Sequence, residues 1–344
     1  MIYEFCNIPI FLAIEMGRGT TLEDLLKRNN LFFPKPLLIT GTNSLKAISR
    51  YKDVQGITTL IIETNSMEAV NKVKNEVINK GYDLIIGCGG GKVIDVGKLA
   101  SHEALTPFLS IPTILSSDSI ASPISVIELN GENKTIGSSM PMGILINIDV
   151  IKDGPEEYLK AGLGDLISNS SASADWDLAH KRTAERYDNF SRIMALLPAE
   201  RMIDNAHKYE GLKDELFIKN LAEGLALSGI AMSIAKSSRP ASGSEHNISH
   251  AMDRILKEKR RHHGIQVGFA TLLTTYLQKR YDVSSRIKEL FKDVGFPQSF
   301  EELGVSREVF LEAVASAPTI RQRYTILNEI EFPEIERALD EVYR

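Results

Sequence analysis

The chain has 344 residues and a net charge of −5 from 40 basic and 45 acidic side chains. It has no strongly basic tract, which argues against a general role in binding nucleic acid or a membrane surface. The N-terminus, Met1-Ile2-Tyr3-Glu4-Phe5, lacks the features of a signal peptide, and no apolar run reaches membrane-spanning length. Two cysteines, Cys6 and Cys88, are too few for a disulfide framework. We therefore expect a cytoplasmic protein with no membrane insertion.

Short apolar runs alternate with helical patterns after an N-terminal stretch, residues 1–34, that shows no readable pattern. Apolar strands separated by helices indicate a parallel sheet covered on both faces, so we predict a doubly wound α/β domain. The predicted strands are Leu37–Thr40, Thr59–Glu63, Asp83–Cys88 and Pro107–Ile111, and the predicted helices are Leu45–Tyr51, Met67–Asn79 and Lys92–Glu103.

The next segment ends the α/β pattern. Asn130-Gly131 between Ser125–Glu128 and Lys134–Ser138 predicts a β-hairpin, and Gly143–Val150 reads as a last strand. Asp153-Gly154-Pro155 breaks this pattern, and long helical patterns with almost no strand signal continue to the C-terminus. The sequence therefore predicts an α/β domain followed by an all-α domain. The predicted bounds are 1–153 and 154–344.

A glycine-rich turn joins the third predicted strand to its helix, in Gly87-Cys88-Gly89-Gly90-Gly91. Glycines let the backbone approach a ligand closely, and the free N–H groups at a helix start attract phosphate. A tight turn would also use glycine, but three in a row exceed what a turn requires, although the spacing matches neither GxGxxG nor a P-loop. We predict that this turn binds phosphate groups. Asp95 lies on the following helical turn, where a carboxylate also suits the helix dipole.

Two further stretches carry polar groups in places that indicate a site. Ile111–Pro123, rich in serine and containing Asp118, follows the fourth predicted strand, where ligand-binding loops lie, although serines also cap such loops themselves. Ala161–Asn169 has two glycines in a helical pattern, which indicates close packing or close ligand approach. Asp165 in that stretch has apolar neighbours, so it needs a metal, a cation or hydrogen-bond donors.

Four of the seven histidines lie between Ser242 and Gly264. His246 and His250 are four residues apart, which places both imidazoles on one face of a helix. His263 precedes a second helical run that reaches Leu277, and its neighbour His262 is an alternative candidate for any function assigned to His263. Such histidines either form a solvated face or converge on a metal ion.

Five motifs occur together in one order: GCGGGKVIDVGK, IPTILSSDSIASP, AGLGDLISN followed by ADWDLAH, SGSEHNISHAMD, and HHGIQVG. In this order they resemble the archaeal sn-glycerol-1-phosphate dehydrogenase family. That family shares a superfamily with glycerol dehydrogenases, iron-containing alcohol dehydrogenases and dehydroquinate synthases. The similarity extends from about Leu37 to about Leu277.

The resemblance implies NAD or NADP as cofactor, one divalent metal ion, and a small phosphorylated substrate. The implied metal ligands are Asp165, His246 and His263, for Zn²⁺, although nickel and iron use the same ligands. Asp118 and His250 fall on substrate-contacting positions. The implied cofactor contacts are Gly90, Gly91, Lys92, Val93, Ile94, Asp95, Thr113, Ile114, Leu115, Ser116 and Ser122. Two residues depart from the family: Lys92 replaces a Ser or Thr, and Ile265 replaces a Glu.

The implied reaction is the NAD(P)H-linked reduction of dihydroxyacetone phosphate to sn-glycerol 1-phosphate for archaeal phospholipid (ether lipid) biosynthesis, in a homo-oligomer with substrate between the two domains. The alternatives are a glycerol or polyol dehydrogenase, a dehydroquinate synthase-like lyase, and a catalytically silent nucleotide-binding protein. Glu63 at the end of the second strand favours NAD, whereas Asn65 nearby tolerates the phosphate of NADP, so the sequence leaves this choice open. Lys259, Arg260 and Arg261 form the nearest basic cluster for a substrate phosphate, unless they are simply solvated.

Overall fold

The structure, a computed structural model, describes residues 7–17, 21–48, 54, 56–129 and 131–343. The chain divides into two units, Met1–Pro155 and Glu156–Arg344. This division lies beside Asp153, and the assignment of cofactor and metal binding to separate domains stays a prediction.

The first unit is built on a parallel sheet. Its strands, within the described residues, are β1 (Phe11–Glu15), β2 (Pro36–Thr40), β3 (Thr58–Ile61), β4 (Leu84–Gly89), β5 (Phe108–Pro112), β6 (Ile124–Leu129), β7 (Glu132–Gly137) and β8 (Gly143–Asn147). Six of them pair in parallel in the order β1-β8-β5-β4-β2-β3. β6 and β7 form a separate antiparallel pair with Leu129 opposite Glu132, as the hairpin prediction requires, although Asn130 itself lies outside the described residues.

Helices cover both faces of this sheet. They are α1 (Leu22–Arg28), α2 (Leu45–Ile48), α3 (Met67–Lys80), α4 (Gly91–Ala104) and α5 (Ile148–Asp153). Alternate residues of β2 enter different cores: Leu37 and Ile39 pack with apolar residues of α3 and α4, whereas Leu38 packs with Leu22 and Leu25 of α1. The predicted doubly wound α/β fold is therefore confirmed. The predicted helix Leu45–Tyr51 agrees with α2 as far as Ile48, and residues 49–51 lie outside the described residues.

The prediction of a strand from Gly143 to Val150 is wrong in its second half. β8 ends at Asn147, whose side-chain oxygen accepts a hydrogen bond from the backbone N–H of Val150 at 3.1 Å and so caps α5. An asparagine side chain that accepts from the backbone N–H three residues later favours a helix start over a continued strand. The helix then ends at Asp153, where the sequence predicts the break.

The N-terminal strand β1 was missed because its partner is distant in sequence. It pairs with β8, Phe11 opposite Gly143, and the phenyl ring of Phe11 fills the space that a side chain at residue 143 would need. A Cβ atom on Gly143 would lie 2.4 Å from Phe11 Cζ. The residues around Phe11 alone therefore do not indicate a strand, because Phe11 depends on packing against the distant Gly143.

The second unit is all-α in its described residues, as predicted. Its helices are α6 (Glu156–Ile167), α7 (Asn169–Thr183), α8 (Asn189–Asp204), α9 (Glu215–Ala235), α10 (Ser244–Leu256), α11 (His263–Leu277), α12 (Tyr281–Asp293), α13 (Phe300–Leu303), α14 (Arg307–Ser316) and α15 (Phe332–Val342).

Helix α9 corrects one expectation, because its length and composition are sufficient for a membrane span. However, 72% of the apolar window of this helix is buried inside the protein. A long, mainly apolar helix that is mostly buried is typical of a protein core. We therefore interpret α9 as a core helix of the second unit.

Candidate active site

The glycine turn lies where the chain changes direction across the sheet. The chain passes from β2 outward to β3 but from β4 to β5 on the opposite side, so the switch point lies between β2 and β4. In open α/β sheets, ligands bind at the carboxyl ends of the strands at this point. The residue before α4 is Gly90, which has no side chain to cap the helix. The start of α4 is thus suited to an anionic group.

The predicted cofactor residues differ in what they can offer to a ligand. The side chains of Val93 and Ile94 belong to the hydrophobic core, as does the buried Leu115, so only their backbone atoms are suited to contact a cofactor. Lys92 is exposed, and Gly91, Ile114 and Ser116 are partly exposed. Thr113 follows β5, and its N–H donates to Gly89 O at 3.1 Å, which holds this loop beside the glycine turn.

Asp118 begins a short 3-10 turn, Asp118–Ile120, in the serine-rich loop after β5. Ser117 Oγ accepts a hydrogen bond from Ser119 N at 3.4 Å, and Ser122 N donates to Asp118 O at 2.9 Å. The loop therefore does cap itself, as the alternative interpretation requires. Asp118 remains partly exposed within it.

A buried ion pair that the sequence analysis missed ties this loop to α4. Lys98 is fully buried, with Nζ 2.9 Å from Asp95 Oδ1, and it donates to the backbone oxygens of Ser122 and Ile124. Asp95 Oδ2 accepts from the N–H of Val126 at 3.1 Å. Burial raises the pKa of Asp95, and the Lys98 ammonium opposes that rise. The spacing of Asp95 and Lys98 by three residues was a visible signal, but such pairs usually lie on helix surfaces.

The predicted metal ligands come together in the second unit. Asp165 lies on α6, His246 on α10 and His263 at the start of α11, and their ligand atoms lie within 4.8 Å of one another. Asp165 Oδ1 is 3.7 Å from His246 Nε2 and 3.9 Å from His263 Nε2. Two ligands of a tetrahedral ion, each at about 2.1 Å, lie roughly 3.4 Å apart, so this spacing suits one ion between the three groups.

Hydrogen bonds to the other ring nitrogens orient both imidazoles. Glu245 Oε1 lies 2.9 Å from His246 Nδ1 and accepts from Gly243 N at 2.6 Å, so it acts as an acceptor, which favours the proton on Nδ1 and the lone pair on Nε2. Ser249 Oγ lies 3.1 Å from His263 Nδ1 and accepts from Gln266 Nε2 at 3.0 Å. A hydroxyl oxygen accepts two hydrogen bonds, so Ser249 suits the same tautomer of His263. These partners fit a divalent metal site, in which such bonds normally fix the ligand histidines.

The site lowers the basicity of its histidines. Burial, with the nearby cations Arg321 and Arg323, lowers the pKa of His246 to about 3. Burial, His246 and Arg321 lower the pKa of His263 to about 3, although its side chain is partly accessible. Burial and Arg321 also hold the pKa of His250 well below its usual value. All three imidazoles are therefore neutral at physiological pH, which is the form that binds metals.

Glycines on α6 and α11 bring the ligands of these two helices together. A Cβ atom on Gly164 would lie 2.0 Å from Gly264 O, and one on Gly264 would lie 1.9 Å from Ala161 O. Gly268 is similarly close, since its Cβ atom would lie 2.6 Å from the Cα atom of Gly164. The glycine in the Asp165 motif thus permits close helix packing, one of the two explanations given by the sequence analysis.

His250 and His262 occupy different positions around the three ligands. The ring of His250 stacks on that of His263 with centroids 5.6 Å apart, and its Nε2 accepts from Arg321 Nη2 at 2.9 Å. His262 instead places Nε2 3.4 Å from Glu157 Oε1 and packs against Tyr158. This arrangement favours His263 over His262 as the ligand and leaves His250 beside the site.

Part of the chain matches a known family model, and the whole chain shares its fold with solved structures. The family model described as iron-containing alcohol dehydrogenase matches residues 14–155. A probable glycerol dehydrogenase from Sinorhizobium meliloti has the same fold, with a TM-score of 0.77, 19% identity, and coverage of 97% of this chain and 96% of that chain.

Relatives with higher identity define the family. A glycerol-1-phosphate dehydrogenase [NAD(P)+] of Pyrococcus furiosus is 37% identical over 321 residues, 91% of each chain. Another protein of that name, from Methanococcus aeolicus, is 36% identical over 343 residues, 96% of this chain and 97% of its own. The chain belongs to the glycerol-1-phosphate dehydrogenase family.

The buried ion pair generates a prediction about stability. Lys98→Met should leave the Asp95 carboxylate buried without its cation and lower the free energy of unfolding by about 3–5 kcal/mol. Lys74→Met is the matched control, because the Lys74–Glu103 pair is partly exposed and its loss should cost about 1 kcal/mol or less. Urea unfolding followed by circular dichroism measures both. Equal losses in the two variants would contradict the stabilising role of Lys98.

The glycine contacts generate a prediction about metal affinity. Gly264→Ala should push α11 away from α6, separate His263 from Asp165, and weaken metal binding by about tenfold or more. Gly137→Ala is the control, since nothing lies within 4 Å of a Cβ atom there. Metal content after dialysis against a competing chelator measures the effect. Wild-type metal retention in a folded Gly264→Ala variant would show that the helix contact does not set the ligand geometry.

Proposed function

We propose that the protein is a metal-dependent oxidoreductase that reduces dihydroxyacetone phosphate to sn-glycerol 1-phosphate with NADH or NADPH. The main support is the Asp165–His246–His263 cluster, in a chain similar over 91% of its length to a glycerol-1-phosphate dehydrogenase [NAD(P)+]. We place the reaction in the cytoplasm, where its product enters phospholipid (ether lipid) biosynthesis.

In this proposal, Asp165, His246 and His263 hold one divalent metal ion, Zn²⁺ in the first instance. One carboxylate and two imidazoles form a plausible catalytic zinc set with an open position. The His263 side chain keeps 37% of its surface accessible, against 11% for His246 and 6% for Asp165, so a ligand would reach the three side chains from the His263 side. The bound ion would act as a Lewis acid toward the keto group of the substrate.

The glycine turn holds the cofactor in the same proposal. The N–H groups at the start of α4 bind the pyrophosphate, with Gly90 and Gly91 allowing its close approach. Thr113, Ser116 and Ser122 contact the nicotinamide side, and Lys98 keeps Ser122 in position through its two hydrogen bonds to that residue. When bound, the nicotinamide would supply the hydride, and these residues would position it.

His250 and Asp118 orient the substrate hydroxyl groups and assist proton transfer. Arg321 donates to His250 Nε2, so the proton of the neutral imidazole lies on Nδ1. His250 is therefore a hydrogen-bond donor through Nδ1–H. Its stacking on His263 places it beside the proposed metal ligands.

The proposed reaction is tested with purified, metal-loaded enzyme. We expect NADH or NADPH to be oxidised when dihydroxyacetone phosphate is added, and the product to resist an enzyme that accepts only sn-glycerol 3-phosphate. Equal reduction of unphosphorylated dihydroxyacetone would instead indicate a polyol dehydrogenase. Conversion of a substrate without net NADH oxidation would indicate a dehydroquinate synthase-like lyase. Formation of sn-glycerol 3-phosphate would contradict the proposal.

The roles of the two histidines on α10 are separable. His246→Ala should lose the metal, because a ligand contributes directly to the binding of the ion. His250→Ala should keep the metal and NAD(P)H binding but lose catalytic efficiency by about 10²-fold or more, the scale of a lost acid–base or orienting group. Elemental analysis and steady-state kinetics of both variants measure this. Loss of metal in His250→Ala, or wild-type turnover, would contradict the division of roles.

A further inference from the structure

Two arginines, Arg321 and Arg323, contact the turn that precedes α10, and a third, Arg239, lies within that turn. Arg323 donates to Ser242 O and to Ser238 Oγ, and Arg321 donates to Ser242 Oγ at 3.4 Å as well as to His250. Arg239 pairs with Glu185, Nε to Oε1 at 2.6 Å, and donates to Tyr324 O. No local sequence pattern marks any of the three as functional, because Arg321 and Arg323 lie far along the chain from His250.

The positive charge of Arg323 has no carboxylate in direct contact with it among the described residues. Glu185 neutralises Arg239, but among the described residues no carboxylate lies within ion-pair distance of Arg323. Burial and the positive charges of Arg239 and Arg321 lower the pKa of Arg323 to about 10, and the carboxylates of Glu185 and Glu245 oppose this shift. Arg323 is therefore still charged at neutral pH, in surroundings that disfavour its charge. An anion bound between Arg321 and Arg323 would remove this cost.

We propose that Arg321 and Arg323 bind the phosphate group of the substrate. This assignment rests on the proposed function, because it takes the anion to be a phosphate monoester. Arginine forks bind phosphate oxygens with two parallel hydrogen bonds, and two arginines can meet the charge of a dianion. Arg321 contacts His250, which stacks on His263, so the phosphate site adjoins the proposed substrate site. In dihydroxyacetone phosphate a single methylene group separates the keto carbon from the phosphate ester oxygen, which suits such adjacent sites.

The loop that carries both arginines is held in place by its neighbours. Tyr324 O accepts from Arg239 Nη1 at 2.9 Å, and the N–H of Ile326 donates to the buried carboxylate of Asp175 at 2.9 Å. The guanidinium groups are thus positioned before the ligand binds, which lowers the entropy cost of binding.

The basic cluster near His263 is less suited to this role. Arg261 donates to Leu303 O at 2.8 Å and is committed to that contact, and Lys259 and Arg260 are exposed. Exposed side chains bind a phosphate weakly because water and salt compete for it. The variant Arg260→Gln therefore distinguishes a phosphate site at Arg321 and Arg323 from one at residues 259–261.

The experiment compares variants of the metal-loaded enzyme with NADH. For Arg323→Gln we expect the KM for dihydroxyacetone phosphate to rise about 10- to 100-fold, the scale of a lost hydrogen bond between charged groups. Inhibition by inorganic phosphate should weaken by a similar factor, whereas kinetics with unphosphorylated dihydroxyacetone and the metal content should not change. Arg323→Lys keeps the charge without the fork and should give an intermediate KM. Arg337→Gln, an exposed arginine on α15, is the matched control.

Two outcomes would overturn the assignment. The first is a wild-type KM and wild-type phosphate inhibition in Arg323→Gln. The second is a loss of phosphate inhibition in Arg260→Gln, which would move the site to residues 259–261. If the unmodified enzyme reduces dihydroxyacetone but not its phosphate, the proposed function fails. Titration of inorganic phosphate into the wild type and Arg323→Gln still decides the anion site in that case. Should Arg323→Gln not fold, Arg321→Lys and Arg323→Lys provide the same comparison.

Discussion

The close contact between the backbones of α6 and α11 is the constraint on which the metal cluster depends. Each of these helices supplies one ligand next to a packing glycine: Asp165 follows Gly164, and His263 precedes Gly264. The two glycines leave no room for a Cβ atom on either side. A glycine inside a helix costs about 1 kcal/mol relative to alanine, so the fold accepts this cost where close approach is required. The same contact therefore packs the core and sets the distance between two ligands.

The third ligand depends on how α10 begins. Two buried carboxylates hold that start: Asp175 Oδ2 accepts from Ser244 N at 2.7 Å, and Glu245 Oε1 accepts from Gly243 N at 2.6 Å. Negative groups stabilise a helix N-terminus, where N–H groups have no partner in the helix. Burial and the nearby Glu245 raise the pKa of Asp175 to about 6. Glu245 also bonds His246, so one side chain both begins the helix and orients the ligand.

The sequence predicted those features whose signals are local. Apolar runs identified the parallel strands from β2 to β5, and the spacing of His246 and His250 placed both on one helix face. The sequence did not reveal β1, because Phe11 is matched to Gly143 far along the chain. It also missed Lys98, Arg321 and Arg323, whose importance comes from burial among distant partners. Ile265, the predicted departure from the family, is buried, and the neighbouring Gln266 donates to Ser249 Oγ.

Charge and burial together explain why these residues form one site. Arg321 donates to His250 Nε2, and its positive charge helps to keep that imidazole neutral. His246 and His263 are kept neutral by burial and by the same cation. Neutral imidazoles bind metal ions, whereas a cluster of buried cations attracts anions. In our proposal, the second unit therefore binds a cation at Asp165 and the two histidines and an anion at Arg321 and Arg323. A substrate with a polarisable carbonyl and a phosphate group has the complementary chemistry for both.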